Sequence, residues 1–176
     1  MDVTRVTWKI SVLGALGAGK SSIISRMIYD SEGSASQPRS IQKKTLSISR
    51  GGRKVMVDLL FLELDDGKNN EKLIMGSNAI LVVSDLTDAG SLRSADSTFK
   101  IIKKFNSKSL VFLVATKLDR KYEAAYWTRE LDEISKRDDV RYFLVSAKTG
   151  DGVSELMESL TSNLLDKFLS KKEKNA

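Results

Sequence analysis

The order of hydrophobic patterns along this chain predicts an α/β sandwich of three layers. Its centre is a six-stranded, mostly parallel sheet with helices on both faces and one antiparallel edge hairpin. Three observations carry this. Strand-like apolar runs alternate with stretches of helical spacing along most of the sequence. A Gly51-Gly52 pair between two β-type runs marks a tight hairpin, hence an antiparallel pair. Residues 79–84 and 109–115, apart from Ser84 and Ser109 at their ends, are continuously apolar rather than alternating, as strands covered on both faces are.

Each element has its own signal. Val6, Trp8, Ile10 and Val12 alternate with Thr7, Lys9 and Ser11 to give the first strand. A glycine-rich turn over 14–19 leads into a helix over 20–29, whose apolar face is Ile23, Ile24 and Met27. Residues 30–44 carry Ser, Gly, Pro and charge without periodicity, the mark of a long functional loop. The hairpin strands occupy 45–50 and 54–64, and 66–76 reads as polar loop. Helical spacing recurs at Leu92, Phe99, Ile102 and Phe105, and again over 122–135 through Ala125, Leu131 and Ile134. A last strand over 141–145 precedes an amphipathic helix over 153–169, with Leu156, Leu160, Leu164, Leu165 and Phe168 buried. With 176 residues and no repeat or linker, the sequence predicts one domain over 1–170 and a short basic tail over 171–176. A domain of this size buries about 70% of its unfolded surface.

Composition excludes several chemistries. There is no Cys and no His, so disulfides, Cys/His zinc sites, thiol nucleophiles and His-based triads are all ruled out. The longest apolar runs are too short to span a bilayer, and the first residues show no signal-peptide pattern. No Gly stands at position 2 and no Cys is present to accept a lipid, so the reading is a soluble, cytoplasmic monomer without a lipid anchor. The charge is +6, from 29 basic and 23 acidic residues. Between residues 37 and 57 lie Arg39, Lys43, Lys44, Arg50, Arg53 and Lys54 with no acid, and between 97 and 116 lie Lys100, Lys103, Lys104 and Lys108 with none. Such patches suit an anionic partner, or simply solubility.

The chemistry centres on Gly14-Ala15-Leu16-Gly17-Ala18-Gly19-Lys20-Ser21, which fits Gly-x-x-x-x-Gly-Lys-Ser. Glycines let backbone N–H groups turn inward and approach a phosphate chain closely, and the following helix adds its N-terminal dipole. Lys20 then neutralises the outer phosphates and the Ser21 hydroxyl ligates Mg²⁺; Ser22 completes the loop's polar set. Thr116-Lys117-Leu118-Asp119 follows an apolar strand at its carboxyl end, where such sheets place ligands. A carboxylate at Asp119 accepts both the ring N–H and the exocyclic amine of guanine, a donor pair that adenine lacks. The Lys117 stem can lie over the base, and Ser146-Ala147-Lys148 offers a backbone N–H to guanine O6.

In these three motifs, in order and in spacing, the chain resembles the Ras superfamily of small GTPases, from about Val6 to the end of the last helix. The resemblance implies the P-loop NTPase fold, a single G domain, binding of GTP and GDP with Mg²⁺, and hydrolysis of GTP. It also implies a protein effector, an activating protein and an exchange factor. The family's first switch loop closes a threonine over the metal. Ser40, nineteen residues beyond Ser21, is the match by position, with Thr45 as the alternative. The second switch ordinarily reads Asp-x-x-Gly-Gln. Here it is Leu62-Glu63-Leu64-Asp65-Asp66-Gly67-Lys68, with Asp65 as the candidate metal acid and Gly67 as the candidate switch glycine.

Departures from the pattern point to slow turnover. Lys68 stands where a glutamine orients attacking water, and it has no acceptor with which to do so. Leu16 puts a bulky side chain at a phosphate-loop position that is small in many members. Arg39 is a candidate for charge supplied in cis, and Glu71 for holding water. Three readings follow: a GTPase switch, a scaffold that holds GTP or GDP without cycling, and a GTPase acting on RNA. For the last, the basic stretch over 37–57 has no aromatic residue interleaved among its cations to stack on bases. The basic stretch from Arg39 to Lys54 therefore favours an acidic protein partner over nucleic acid, with at most weak electrostatic contact to a membrane.

Overall fold

The structure, a computed structural model, describes residues 3–30, 41–65 and 70–176. Its first half runs β1 (Thr4–Gly14), α1 (Lys20–Tyr29), β2 (Gln42–Arg50), β3 (Arg53–Asp65), α2 (Glu71–Met75) and β4 (Ala79–Asp85). Its second half runs α3 (Ala89–Phe105), β5 (Leu110–Thr116), α4 (Thr128–Asp138), β6 (Arg141–Leu144) and α5 (Val153–Lys174). The strands pair in the order β2-β3-β1-β4-β5-β6, with only β2 and β3 antiparallel. This is the expected six-stranded sheet.

Alternation sends successive side chains to opposite faces and builds two cores. Ile10, Val12, Leu81 and Val83 meet Ile23, Ile24 and Met27 of α1 and Leu156, Leu160 and Leu164 of α5. Leu13, Ile80 and Val82 meet Leu92, Phe99 and Ile102 of α3 and Leu131 and Ile134 of α4 on the other face. All seven residues of β4 are buried, which is why its first five, Ala79 to Val83, are apolar without alternation. Parallel pairing brings the carboxyl ends of β1, β4 and β5 side by side, so the loops that follow them share one edge.

Three boundaries differ from expectation. The fourth helix begins at Thr128 rather than 122, because the Ala125 N–H donates to Leu86 O (2.7 Å) and the Tyr126 hydroxyl shares a hydrogen bond with Ser84 (2.6 Å). Those contacts hold the chain out of helix, and residues Leu118–Glu123 form a 3₁₀ segment instead. The stretch read as loop over 66–76 contains α2, whose last carbonyls accept from the Asn106 amide, at Ile74 (2.7 Å) and Met75 (3.3 Å). Finally, α5 continues unbroken to Lys174, so most of the residues assigned to a tail extend that helix.

A buried carboxylate joins β2 to β3 and β1. Asp58 accepts from Arg5 Nε (2.8 Å) and from Thr45 Oγ1 (2.6 Å), and pairs with Lys43 (3.3 Å). The Arg5 guanidinium first, then the Thr45 hydroxyl, hold its carboxyl well below the usual carboxylate range. A pKa lower in the folded chain than in the unfolded one gives stability that is present above the unfolded value and lost as pH falls towards the folded one. Thermal melts between about pH 5 and about pH 2 are therefore expected to show a steeper loss for the native chain than for Asp58→Asn. Parallel curves would remove Asp58 from the acid response.

Candidate functional site

The phosphate loop is set by close backbone contacts. A Cβ at Gly14 would lie 2.6 Å from Val83 O, so the end of β1 passes β4 too closely for any side chain. Gly19, with φ of 95°, caps α1 in a conformation that other residues rarely adopt. Thr116 Oγ1 donates to Ala18 O (2.6 Å) and Ser84 O (3.1 Å), tying the loop to β5 and β4. That hydroxyl positions the loop.

The two charged-phosphate residues are already held. Lys20, only 4% exposed, donates from Nζ to Gly14 O (2.7 Å) and Ala15 O (3.0 Å) and pairs with Asp65 (3.3 Å). Ser21 Oγ lies 2.8 and 2.7 Å from the two carboxylate oxygens of Glu63. Glu63 thus meets the serine, and Asp65 meets the lysine. Both stand on the same side of β3, two residues apart, and the register of Val12 with Glu63 and Gly14 with Asp65 sets them beside the loop. A single acid inside Leu62-Glu63-Leu64 was the signal in the sequence. A serine hydroxyl with two carboxylates is a hard oxygen set that suits Mg²⁺, which takes few protein ligands and many from phosphate and water. Among the described residues no group of three His, Cys, Asp or Glu forms a larger cage.

Beside the loop lies a cavity of about 270 Å³ lined by Gly19, Ser22, Thr116, Lys117, Asp119, Arg120, Ala147 and Lys148. Lys117 takes a left-handed backbone (φ 63°), and its Nζ bridges Asp85 (2.5 Å) and Gly17 O (3.1 Å). Burial opposes ionisation of Asp85, but Lys117 and the Thr87 donors outweigh it and hold the carboxyl below its usual range. Asp119 keeps its carboxylate exposed, with one oxygen accepting from buried Ser146 (2.7 Å). Arg26 reaches across from α1 to donate to Ala147 O (2.6 Å) and Lys148 O (2.8 Å). Asp85, Arg26 and Glu63 are the supporting residues that motif reading missed.

Of the remaining candidates, Thr45 is turned to Asp58 within β2. Glu71 opens α2, and its carboxylate makes no hydrogen bond or ion pair among the described residues. Arg39, Ser40, Gly67 and Lys68 lie outside the described residues.

The family model described as the Ras family matches residues 9–166. The chain belongs to the Ras family. Among its relatives, it is 25% identical to the GTP-binding protein YPT53 of Saccharomyces cerevisiae, over 90% of this chain and 76% of that protein. It is 25% identical to the Ras-related protein Rab-32C of Dictyostelium discoideum, over 96% and 78%. With the Ras-related protein Rab-13 of Bos taurus the identity is 24%, over 96% and 85%. Against this Ras-family frame Leu16 stands out structurally, since its side chain projects from the phosphate loop at 91% exposure. Among the described residues no helix is long and apolar enough to cross a membrane.

Proposed function

We propose that this chain binds GTP and GDP with Mg²⁺, hydrolyses GTP slowly, and works as a nucleotide-controlled switch. The observation that carries the reading is Asp119. Its exposed carboxylate, steadied by Ser146, opens on a cavity walled by Gly19 of the phosphate loop and by Lys117. A ligand with a guanine base and a phosphate chain spans those two features.

The chain's own groups divide the work. Lys20 exchanges the carbonyls of Gly14 and Ala15 for anionic phosphate oxygens, which its ammonium binds more strongly than neutral acceptors. Backbone N–H groups of the loop and the start of α1 stabilise charge that grows on the leaving diphosphate. Ser21 presents its hydroxyl to the metal, with Glu63 behind it fixing the oxygen's direction. Mg²⁺, when bound, neutralises β- and γ-phosphate oxygens. In the hydrolysis, water attacks the γ-phosphorus, the bond to the bridging oxygen breaks, and GDP and phosphate leave. Leu16 crowds the side from which water and a partner's arginine approach, and this makes the step slow.

Displacement of fluorescent GDP by GTP but not by ATP tests the base assignment. Single-turnover assay with labelled GTP tests the rate, and Leu16→Gly is expected to raise it about tenfold, or ~1.4 kcal/mol of barrier. A native rate on the order of 1 s⁻¹ without any partner would overturn slow hydrolysis. The same side chain favours a second reading, a scaffold that holds nucleotide without cycling. Structures with GDP and with a GTP analogue would then be superimposable at both switch loops.

The basic surface this chain offers an acidic effector is narrower than composition suggests. Lys43 pairs with Asp58, Arg50 with Asp166 (2.6 Å), and Lys44 donates to Met27 O (2.6 Å). Arg53 and Lys54, exposed beside the hairpin turn, make no ion pair among the described residues.

A further inference from the structure

A second cavity lies at the opposite end of the sheet from the phosphate loop. It holds about 210 Å³ and sits where residues preceding β4 and β5 meet the last turns of α5. Two basic runs that are far apart in sequence converge there: Lys108 from the turn before β5, and Lys167 and Lys171 from α5. No carboxylate lines it.

Two of its three lysines are unanswered. Lys108 and Lys171 make no ion pair or side-chain hydrogen bond among the described residues, whereas Lys43, Arg50 and Lys103 elsewhere each hold an aspartate. The Lys167 ammonium donates to the Lys108 carbonyl. Burial first, then the charges of Lys171 and Lys108, pull that ammonium below the usual lysine range. Asn78 accepts from the Lys9 N–H through Oδ1 (2.8 Å), and its own N–H₂ has no acceptor among the described residues. Trp8 is 5% exposed, and its indole N–H likewise has no acceptor there. No buried side-chain N or O among the described residues lacks a partner, so both of these donors open to the surface. Three ammonium groups in one concavity repel. One ligand relieves that repulsion and uses the open donors: an anion with several oxygen acceptors. At about 30 Å³ per water, the space equals about seven waters, room for one or two phosphate groups.

We propose that this cavity binds a phosphate-ester anion through Lys108, Lys167 and Lys171, with Asn78 and the Trp8 indole N–H completing the donor set. The site is separate from the nucleotide site and stands whether or not that reading holds. A soluble phosphorylated metabolite and a phosphorylated lipid headgroup share this chemistry.

Trp8 reports on occupancy. The chain has two tryptophans, so Trp127→Phe leaves Trp8 as the sole indole. In that background, titration with inorganic pyrophosphate is expected to change Trp8 emission saturably. Lys108→Ala and Lys171→Ala should each weaken binding about tenfold, the scale of one charge-assisted hydrogen bond, and the double variant should abolish it. Both side chains are exposed, and melts of the variants confirm folding. Lys20→Ala should leave the signal intact. Co-sedimentation with phosphatidylcholine vesicles carrying phosphatidylinositol phosphate, reversed by pyrophosphate, supports the site with a lipid source. Absence of co-sedimentation with pyrophosphate binding retained supports it with a soluble one. Binding that disappears with Lys20→Ala and ignores Lys108→Ala and Lys171→Ala overturns the proposal. So does occupation by a polyglutamate peptide with no response to pyrophosphate.

Discussion

Asp119→Asn is expected to change which base the protein accepts. The carboxylate offers two acceptors, matching the ring N–H and the exocyclic amine of guanine. An asparagine keeps one acceptor and turns the other into a donor, which then faces the guanine amine donor to donor. A site built to receive hydrogen bonds rejects a ligand that cannot form them by large factors, so GTP affinity should fall about a thousandfold. Xanthine carries a carbonyl where guanine carries the amine, so XTP should gain what GTP loses. The Ser146 hydroxyl can still donate to the retained oxygen, which preserves the loop. Competition of GTP, XTP and ATP against fluorescent GDP measures this. Equal weakening of all three would mean that Asp119 shapes the loop and does not read the base.

The motif residues were legible because each set is contiguous. Eight consecutive residues make the phosphate loop, and their conformation follows from glycine placement and the helix they open. Thr116 to Asp119 and Ser146 to Lys148 each lie in one turn after a strand. The supporting residues were not legible, because strand register brings them in. Asp85 reaches Lys117 only because β4 and β5 pair with Asp85 opposite Thr116. Glu63 reaches Ser21 through the pairing of β1 with β3. Arg26 sits on α1 more than 100 residues before the carbonyls it holds. The start of α4 was misplaced for the same kind of reason: Ala125 and Ala124 have good helical propensity, but Leu86 O claims the Ala125 N–H. The composition did show an excess of positive charge. Only the fold shows that part of the hairpin's share is neutralised by Asp58 and Asp166, while Lys108 and Lys171 at the far end have no ion pair among the described residues.

Gly152→Ala is expected to be the most destabilising single-methyl addition among the described glycines. Gly152 precedes α5 with φ of 74°, and an added Cβ would stand 2.1 Å from Leu144 O and 3.2 Å from Leu144 C. Backbone atoms of a paired strand cannot swing aside as a flexible side chain can, so either β6 or the turn must move. Strain in the left-handed region and overpacking against backbone together cost about 3–5 kcal/mol. In a chain of this length that lowers Tm by about 10 °C or more. Gly51→Ala is the control: its φ is 58°, with nothing within 4 Å of the added carbon, so only the conformational cost of about 1–2 kcal/mol applies. The larger loss should also reach the base site. Ser146 is held by its N–H to Asp151 O (2.9 Å) and by Gly150 N–H to its carbonyl (2.8 Å), one turn from the displaced residue. Gly152→Ala should therefore weaken GDP binding as well as stability, while Gly51→Ala should leave binding unchanged. Equal Tm losses for the two variants would show that backbone conformation, and not the contact with Leu144, sets the requirement for glycine at 152.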